Sequence, residues 1–290
     1  MNTAILPGKK DPPRRRRPSD SPFTWGFWVA LGFTVLVVLA AATARWSAPH
    51  DPLQLDLLDT LAPPSGAHLL GTDEGGRDTL SRLLWGAQTG LFGPLAVVAI
   101  SLVAGVPLGL LAAGRGGIVD LAVSRMTDLV LAFPVLLLSI LAVALYGAGF
   151  LTTVVALGVA FVPSVIRLTR SLASTEKNRE YINAYRSLGF GPLRIYGLHI
   201  LPNILGVILA HAVVHFGYAL TDLAVLSFLG FGVQAPDSDW GLMVHEGQQA
   251  LLQGSPWQSM ISGGVIVATV LAFNVVGLRL ADAVGKEDLV

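Results

Sequence analysis

Six apolar stretches alternate with polar ones along the chain, at about 25–44, 90–113, 126–147, 150–168, 203–229 and 257–280. A bilayer core about 30 Å thick takes about 20 helical residues, each rising about 1.5 Å. Backbone polar groups inside lipid must be satisfied within the segment itself, so each stretch is predicted to be a helix. The pattern predicts an all-α integral membrane protein with six transmembrane helices. Residues 1–24 are rich in Pro and Arg and read as a disordered basic tail. The 45–89 interval reads as an extracytoplasmic loop. Within it Leu80, Leu83, Leu84 and Ala87 form an apolar stripe beside Trp85. They predict a short interfacial helix, N-capped by Asp78 after a glycine-rich turn. Residues 90–281 form the membrane core, interrupted by a charged loop at 169–202 and a second polar loop at 230–256. Residues 282–290 are read as a short tail.

Charge orients this arrangement. Lys and Arg favour cytoplasmic loops. With the N-terminus in the cytoplasm, the basic tail, the second-to-third loop, the 169–202 loop and the C-terminal end all fall inside. Only Arg45, Arg77 and Arg82 then remain outside. Both termini are therefore predicted to be cytoplasmic. The tail, the apolar run and Ala42-Thr43-Ala44 resemble a cleavable signal peptide. The run exceeds the usual apolar core of about 7–15 residues, which favours an uncleaved anchor.

Composition agrees: 53% of the 290 residues are hydrophobic, 13% are charged, and the mean hydropathy is +0.64. A formal net charge of zero gives no bulk electrostatic attraction to nucleic acid. The absence of cysteine excludes disulfides, thiolate metal sites and cysteine nucleophiles. There is no G-x-x-x-x-G-K-[ST] loop, so the chain is not expected to hydrolyse ATP. There is also no H-E-x-x-H or G-x-S-x-G motif.

The 175–203 segment carries most of the candidate chemistry. Tyr181, Tyr185 and Leu188 recur at helical spacing with Ile182 beside them, while Glu176, Lys177, Arg179 and Arg186 stay polar. The spacing predicts a short amphipathic helix ended by Gly189, then a second helix opened by Pro192, then Leu201-Pro202 opening the fifth span. Physics alone leaves two readings open. One is an ordinary hairpin between spans. The other is a docking lever whose apolar face enters a groove on a soluble partner.

This segment resembles the cytoplasmic loop of ABC-importer permeases at Asn183, Ala184, Tyr185, Gly189, Leu201 and Pro202. Asn and Tyr stand where the family pattern has Glu and Ala. A closer pattern, Glu180-Tyr181, Ala184, Leu188-Gly189, Arg194-Ile195 and His199-Ile200-Leu201-Pro202-Asn203, is similar to the C-type permease of dipeptide, oligopeptide and nickel importers. Three more stretches resemble the same subfamily: residues 71–78, residues 226–234 with Trp240-Gly241, and residues 269–274. Gly263-Gly264 departs from its usual Pro-Gly. The resemblance implies a non-catalytic permease subunit of a bacterial inner membrane that forms half of a peptide pathway. It implies a homologous second permease, two ATP-binding subunits holding ATP and Mg, and an extracytoplasmic solute-binding protein. No cofactor is implied in this chain. Nickel and glutathione are alternative cargoes. An ion-coupled secondary transporter is the rival class, but it predicts mirrored halves that are not evident.

His211, His215, Tyr218 and Asp222 share one face of the fifth span and read as a polar stripe facing the substrate pathway. Asp73, Glu74 and Asp78 lack EF-hand spacing, so no metal site is expected. Arg125 and Asp128 are expected to pair along one helix.

Overall fold

The computed structural model describes residues 25–287, with side chains through 281. The expected tail at 1–24 lies outside the described residues, as do the last residues of the expected 282–290 segment. Ten α-helices make up nearly all of the rest: α1 (Trp25–Ser47), α2 (Thr79–Arg115), α3 (Gly117–Leu131), α4 (Val135–Tyr146), α5 (Phe150–Glu176), α6 (Glu180–Ser187), α7 (Pro192–Ile195), α8 (Leu201–Phe228), α9 (Trp240–Leu252) and α10 (Trp257–Glu287). A π turn, Tyr196–Ile200, joins α7 to α8, so that Pro192–Phe228 runs as one long helix. Among the described residues, five helices are long and apolar enough to cross a membrane. The bent pair α3–α4 brings the number to six when counted as one span.

The expected third span at 126–147 is thus not a single helix. α3 and α4 meet at 84° around Pro134. Proline donates no backbone N–H and drives the residue before it out of helical conformation, which breaks the run here. α4 alone has 12 residues, or about 18 Å, too short to cross about 30 Å of hydrocarbon unaided. A second correction concerns the expected interfacial helix. Asp78 does cap a helix start, accepting from the Ser81 N–H at 2.8 Å, but that helix continues unbroken to Arg115. The stripe from Leu80 to Ala87 is the first turns of the second span. Pro94 and Pro107 inside α2 do not end it.

α2 and α5 form the most extensive helix pair. Glycines let them approach closely. A Cβ on Gly105 would lie 2.6 Å from Val165 Cβ, and one on Gly109 would lie 2.7 Å from Thr169 Cβ. Small residues serve this purpose in membranes, where lipid tails are as apolar as leucine and packing drives association. Val97, Val154, Leu157, Phe161, Ala219, Leu223 and Leu226 fill the junction of α2, α5 and α8. α9 is held by Trp240, whose indole lies against Gly86 and Gly90 and donates to the Leu83 carbonyl at 2.9 Å. Asp239 caps α9 by accepting from the Gly241 and Leu242 N–H groups, and from the Thr89 hydroxyl at 3.1 Å. Burial nonetheless pushes its carboxyl above the ordinary range.

Candidate functional site

The α5–α8 connection folds as expected at its turn. Gly189 has φ +79°, its N–H donates to Arg186 O, and the Phe190 N–H donates to Tyr185 O. Those two bonds form the Schellman arrangement, which needs a left-handed residue at this place. Pro192 occupies the first turn of α7. Leu201-Pro202 opens α8 as expected, with Pro202 in its first turn, but no break separates α8 from the turn before it. Pro202 has no N–H for the carbonyl four residues back, and the helix continues through a π turn in which Leu201 N–H reaches Tyr196 O.

The face of α6 is also corrected. Ile182 is fully buried and Tyr181 and Tyr185 are half-buried, packed with Ala113, Ala173, Ile195, Ile200 and Ile204 of the chain's own core. Tyr185 stacks on His199 with ring centroids 3.9 Å apart. The outward side instead shows Glu180, Asn183 and Ala184, with Leu188 73% and Leu193 91% exposed on either side of the Gly189 turn. Leu188 and Leu193 thus protrude beside the turn, and Leu198 of the π turn is a third exposed leucine of the same loop.

Glu176, Arg179, Tyr181 and Asn203 anchor that loop, and of these only Tyr181 is among the expected site residues. The buried Glu176 accepts from the Tyr181 hydroxyl at 2.6 Å and pairs with Arg179 at 2.9 Å. The Asn203 amide donates to the Tyr181 oxygen at 2.7 Å. Burial, and the hydrogen bond donated to Glu176, push the Tyr181 phenol up to about 12, so it remains a donor. Lys177 Nζ and the Tyr196 hydroxyl both donate to Ala113 O at 3.1 Å, tying the C-terminus of α2 to the same loop.

On α8 the expected stripe is contiguous. His211 and His215 rings lie 5.3 Å apart, His215 and Tyr218 6.5 Å apart, and Phe161 meets His215 edge-on at 5.8 Å. His211 and Tyr218 are exposed, while His215 and Asp222 are half-buried. None of the four lines the large apolar groove of about 1250 Å³ between α2, α3, α4 and α5. Asp128 pairs with Arg167 of α5 at 2.9 Å instead of Arg125 of its own helix. Asp120 of α3 is bound by Arg170 in the same way. These pairs fasten α3 to α5.

The glycine-rich segment before α2 holds a buried ionic cluster. Asp73 accepts from the Gly75 and Arg77 N–H groups at 2.8 and 2.9 Å and pairs with Arg77 and Arg82. Arg82 is fully buried and also meets Glu246 of α9 at 2.7 Å. Asp73, Glu74 and Asp78 do not converge: Glu74 is exposed, and Asp78 turns toward His50 and His68.

The family model described as binding-protein-dependent transport system inner membrane component matches residues 105–287. The chain is 40% identical over 261 residues to the di/tripeptide transport system permease protein DppC of Pseudomonas aeruginosa, covering 88% of this chain and 86% of that one. It is 41% identical over 268 residues to the dipeptide transport system permease protein DppC of Escherichia coli K12, covering 90% and 89%. It is 33% identical over 258 residues to the nickel transport system permease protein NikC of the same strain, covering 89% and 93%. Among solved structures, the MetNI methionine ABC transporter in inward-facing conformation is similar in fold, with TM-score 0.57 and 20% identity over 71% of this chain and 97% of that one.

Proposed function

The chain belongs to the binding-protein-dependent transport system inner membrane components, and from that premise we propose that it is the C-type permease of an ATP-driven importer of short peptides. It is a multi-pass inner-membrane protein of a transport system. In this reading it pairs with a homologous permease to enclose the pathway. Two separate subunits bind ATP and Mg beneath it, and a solute-binding protein delivers cargo from outside. The observation that carries the reading is the 169–202 loop. Its inner side is locked to α2, α5 and α8, while Leu188 and Leu193 project from a turn of fixed hand. Such a loop suits a groove on an ATP-binding subunit and passes that subunit's movement into α5 and α8. Peptide is favoured over nickel by the higher identity to the two dipeptide permeases. The direct test is ATP-dependent uptake of a labelled dipeptide, and separately of nickel, by membranes carrying the complete complex. Nickel uptake without dipeptide uptake would replace the cargo, and uptake of neither would remove the reading.

Both termini lie in the cytoplasm in this arrangement. Single cysteines are clean probes because the chain has none of its own. Cysteines replacing Ser65 and Asp237, both exposed, are expected to react with an impermeant thiol reagent in sealed cells. One replacing the exposed Asn178 is expected to react only after the membrane is opened. Labelling of Asn178→Cys in sealed cells would invert the topology.

The stripe on α8 is assigned to the pathway. Asp222 is half-buried and accepts no hydrogen bond from another side chain among the described residues, which leaves its carboxylate available to a cationic group on cargo. A charge in a partly dry site attracts such a group more strongly than one in bulk water. Asp222→Asn is expected to lower peptide uptake by about tenfold, the equivalent of about 1.4 kcal/mol, with the yield of assembled complex unchanged. Smaller losses are expected for His211→Ala and His215→Ala. Unchanged uptake by Asp222→Asn would make the stripe a packing feature.

A further inference from the structure

The second ionisable cluster before α2 has the make-up of a metal site. Asp78 uses its two oxygens differently. Oδ2 accepts from the Ser81 N–H at 2.8 Å and from the Ser81 hydroxyl at 2.7 Å, which completes the helix cap. Oδ1 faces two imidazoles, with His68 Nδ1 at 3.0 Å and His50 Nδ1 at 3.8 Å. The three donor groups all lie within 4.8 Å of one another. Around a tetrahedral ion with bonds of about 2.0–2.1 Å, donor atoms sit about 3.4 Å apart. Two of the three separations, 3.0 and 3.8 Å, bracket that spacing, and the third, between the two imidazoles, lies within 4.8 Å and closes by a turn of the exposed His50 ring.

The surroundings support ligation independently of the distances. The far nitrogen of His68, Nε2, faces the Asp59 carboxylate at 3.8 Å, an ion-pair distance longer than a hydrogen bond. A metal-binding histidine commonly gives its second N–H to a carboxylate, which fixes the tautomer and ring orientation. His50 is anchored by its backbone N–H, which donates to Ser81 Oγ at 3.0 Å, and its ring lies against that of His68 with centroids 4.8 Å apart, which leaves both of its nitrogens free of hydrogen bonds to protein among the described residues. The His50 side chain is 41% exposed, leaving an approach from solvent. Hydrogen bonding between His68 and Asp78 accounts for one edge of the cluster but does not require His50.

We propose that His50, His68 and Asp78 bind one divalent transition-metal ion of the zinc, nickel or copper class, tying the loop before α2 to the first turn of that helix. Two imidazoles and one carboxylate suit these ions, whereas magnesium and calcium prefer all-oxygen shells. With three protein donors the ion keeps an exchangeable position for water or an incoming carboxylate.

The test titrates zinc or nickel into the complete transporter in lipid nanodiscs, free of any histidine tag, by calorimetry. Cobalt absorption reports the ligand set. One site per chain is expected, with magnesium inert. His50→Ala and His68→Gln are each expected to weaken binding by at least about tenfold. The variant carrying both His211→Ala and His215→Ala is expected to bind as the unaltered chain does. The exposed His50 makes its alanine variant the control for folding, with an unchanged melting temperature in the absence of metal. No saturable zinc or nickel binding below about 0.1 mM, a weak affinity of about −5.5 kcal/mol, would overturn the proposal. Binding that survives His50→Ala, or that is lost only with the His211 and His215 changes, would overturn it equally.

Discussion

Gly189→Val is expected to abolish transport while the chain still inserts and assembles. No heavy atom lies within 4 Å of the position a Cβ would take at Gly189, so the cost is not a clash with neighbours. It arises from φ +79°, where a β-branched residue is strained by about 1–3 kcal/mol. Valine relieves that strain by leaving the left-handed region, which breaks the bonds from the Gly189 and Phe190 N–H groups to Arg186 O and Tyr185 O. α6 and α7 then meet at a different angle, and Leu188 and Leu193 no longer project together. The spans are untouched. Uptake and cargo-stimulated ATP hydrolysis should fall together while membrane yield holds. Gly189→Asn should keep much of the activity, because asparagine enters the left-handed region more readily. Full uptake by the valine variant would refute a coupling role for the turn.

Asp73→Ala should have an equally large effect of a different kind, on folding. Asp73 holds two backbone N–H groups and two guanidinium groups, and Arg82 is wholly buried. Removing the carboxylate leaves Arg77 and Arg82 to share Glu246. Breaking a buried ion pair by deleting one partner costs about 3–5 kcal/mol, because the remaining charge stays out of water. A sharp loss of folded protein and a lowered melting temperature are expected. Adding Arg82→Met should recover part of the loss by removing the stranded charge. Asp73→Asn, which keeps an acceptor for the Gly75 and Arg77 N–H groups, should fall between. A normal melting temperature for Asp73→Ala would show that the cluster is not holding this end of the bundle together.

The apolar character of the spans was legible because it is a local property of the chain. So were the Asp78 cap, the Gly189 turn and the shared face of His211, His215, Tyr218 and Asp222, each set within a few residues. What local pattern does not reveal is set at longer range or by a single residue. Pro134 broke a run that composition alone presents as continuous. The apolar row of Tyr181, Tyr185 and Leu188 was split because Ile182, a single residue off that row, reached the core and turned the helix. Asp128 chose Arg167 over Arg125 because α5 lies alongside α3, which helical spacing cannot reveal. Glu176, Arg82 with Glu246, and His50 with His68 escaped notice for the same reason: their partners are distant in sequence or unremarkable in spacing. Arg82, a charge set within the apolar row from Leu80 to Ala87, was the one available signal for the ionic cluster.

The π turn at Tyr196–Ile200 has a consequence for the ancestry and grafting of these chains. A π turn holds one residue more than the α turn it replaces, so it sets back the azimuth of everything beyond it by about 100° relative to a plain helix. The bearing of His211, His215, Tyr218 and Asp222 is therefore set by the turn as much as by their own spacing. Loop and stripe behave as two dials on a single shaft, with the π turn as the fixed offset between them. Substitutions can drift on either side without changing the aim of the stripe, but the gain or loss of one residue between Pro192 and Pro202 would swing it to another face. A chimera that borrows the loop from a relative keeps its aim only when that five-residue offset is inherited whole.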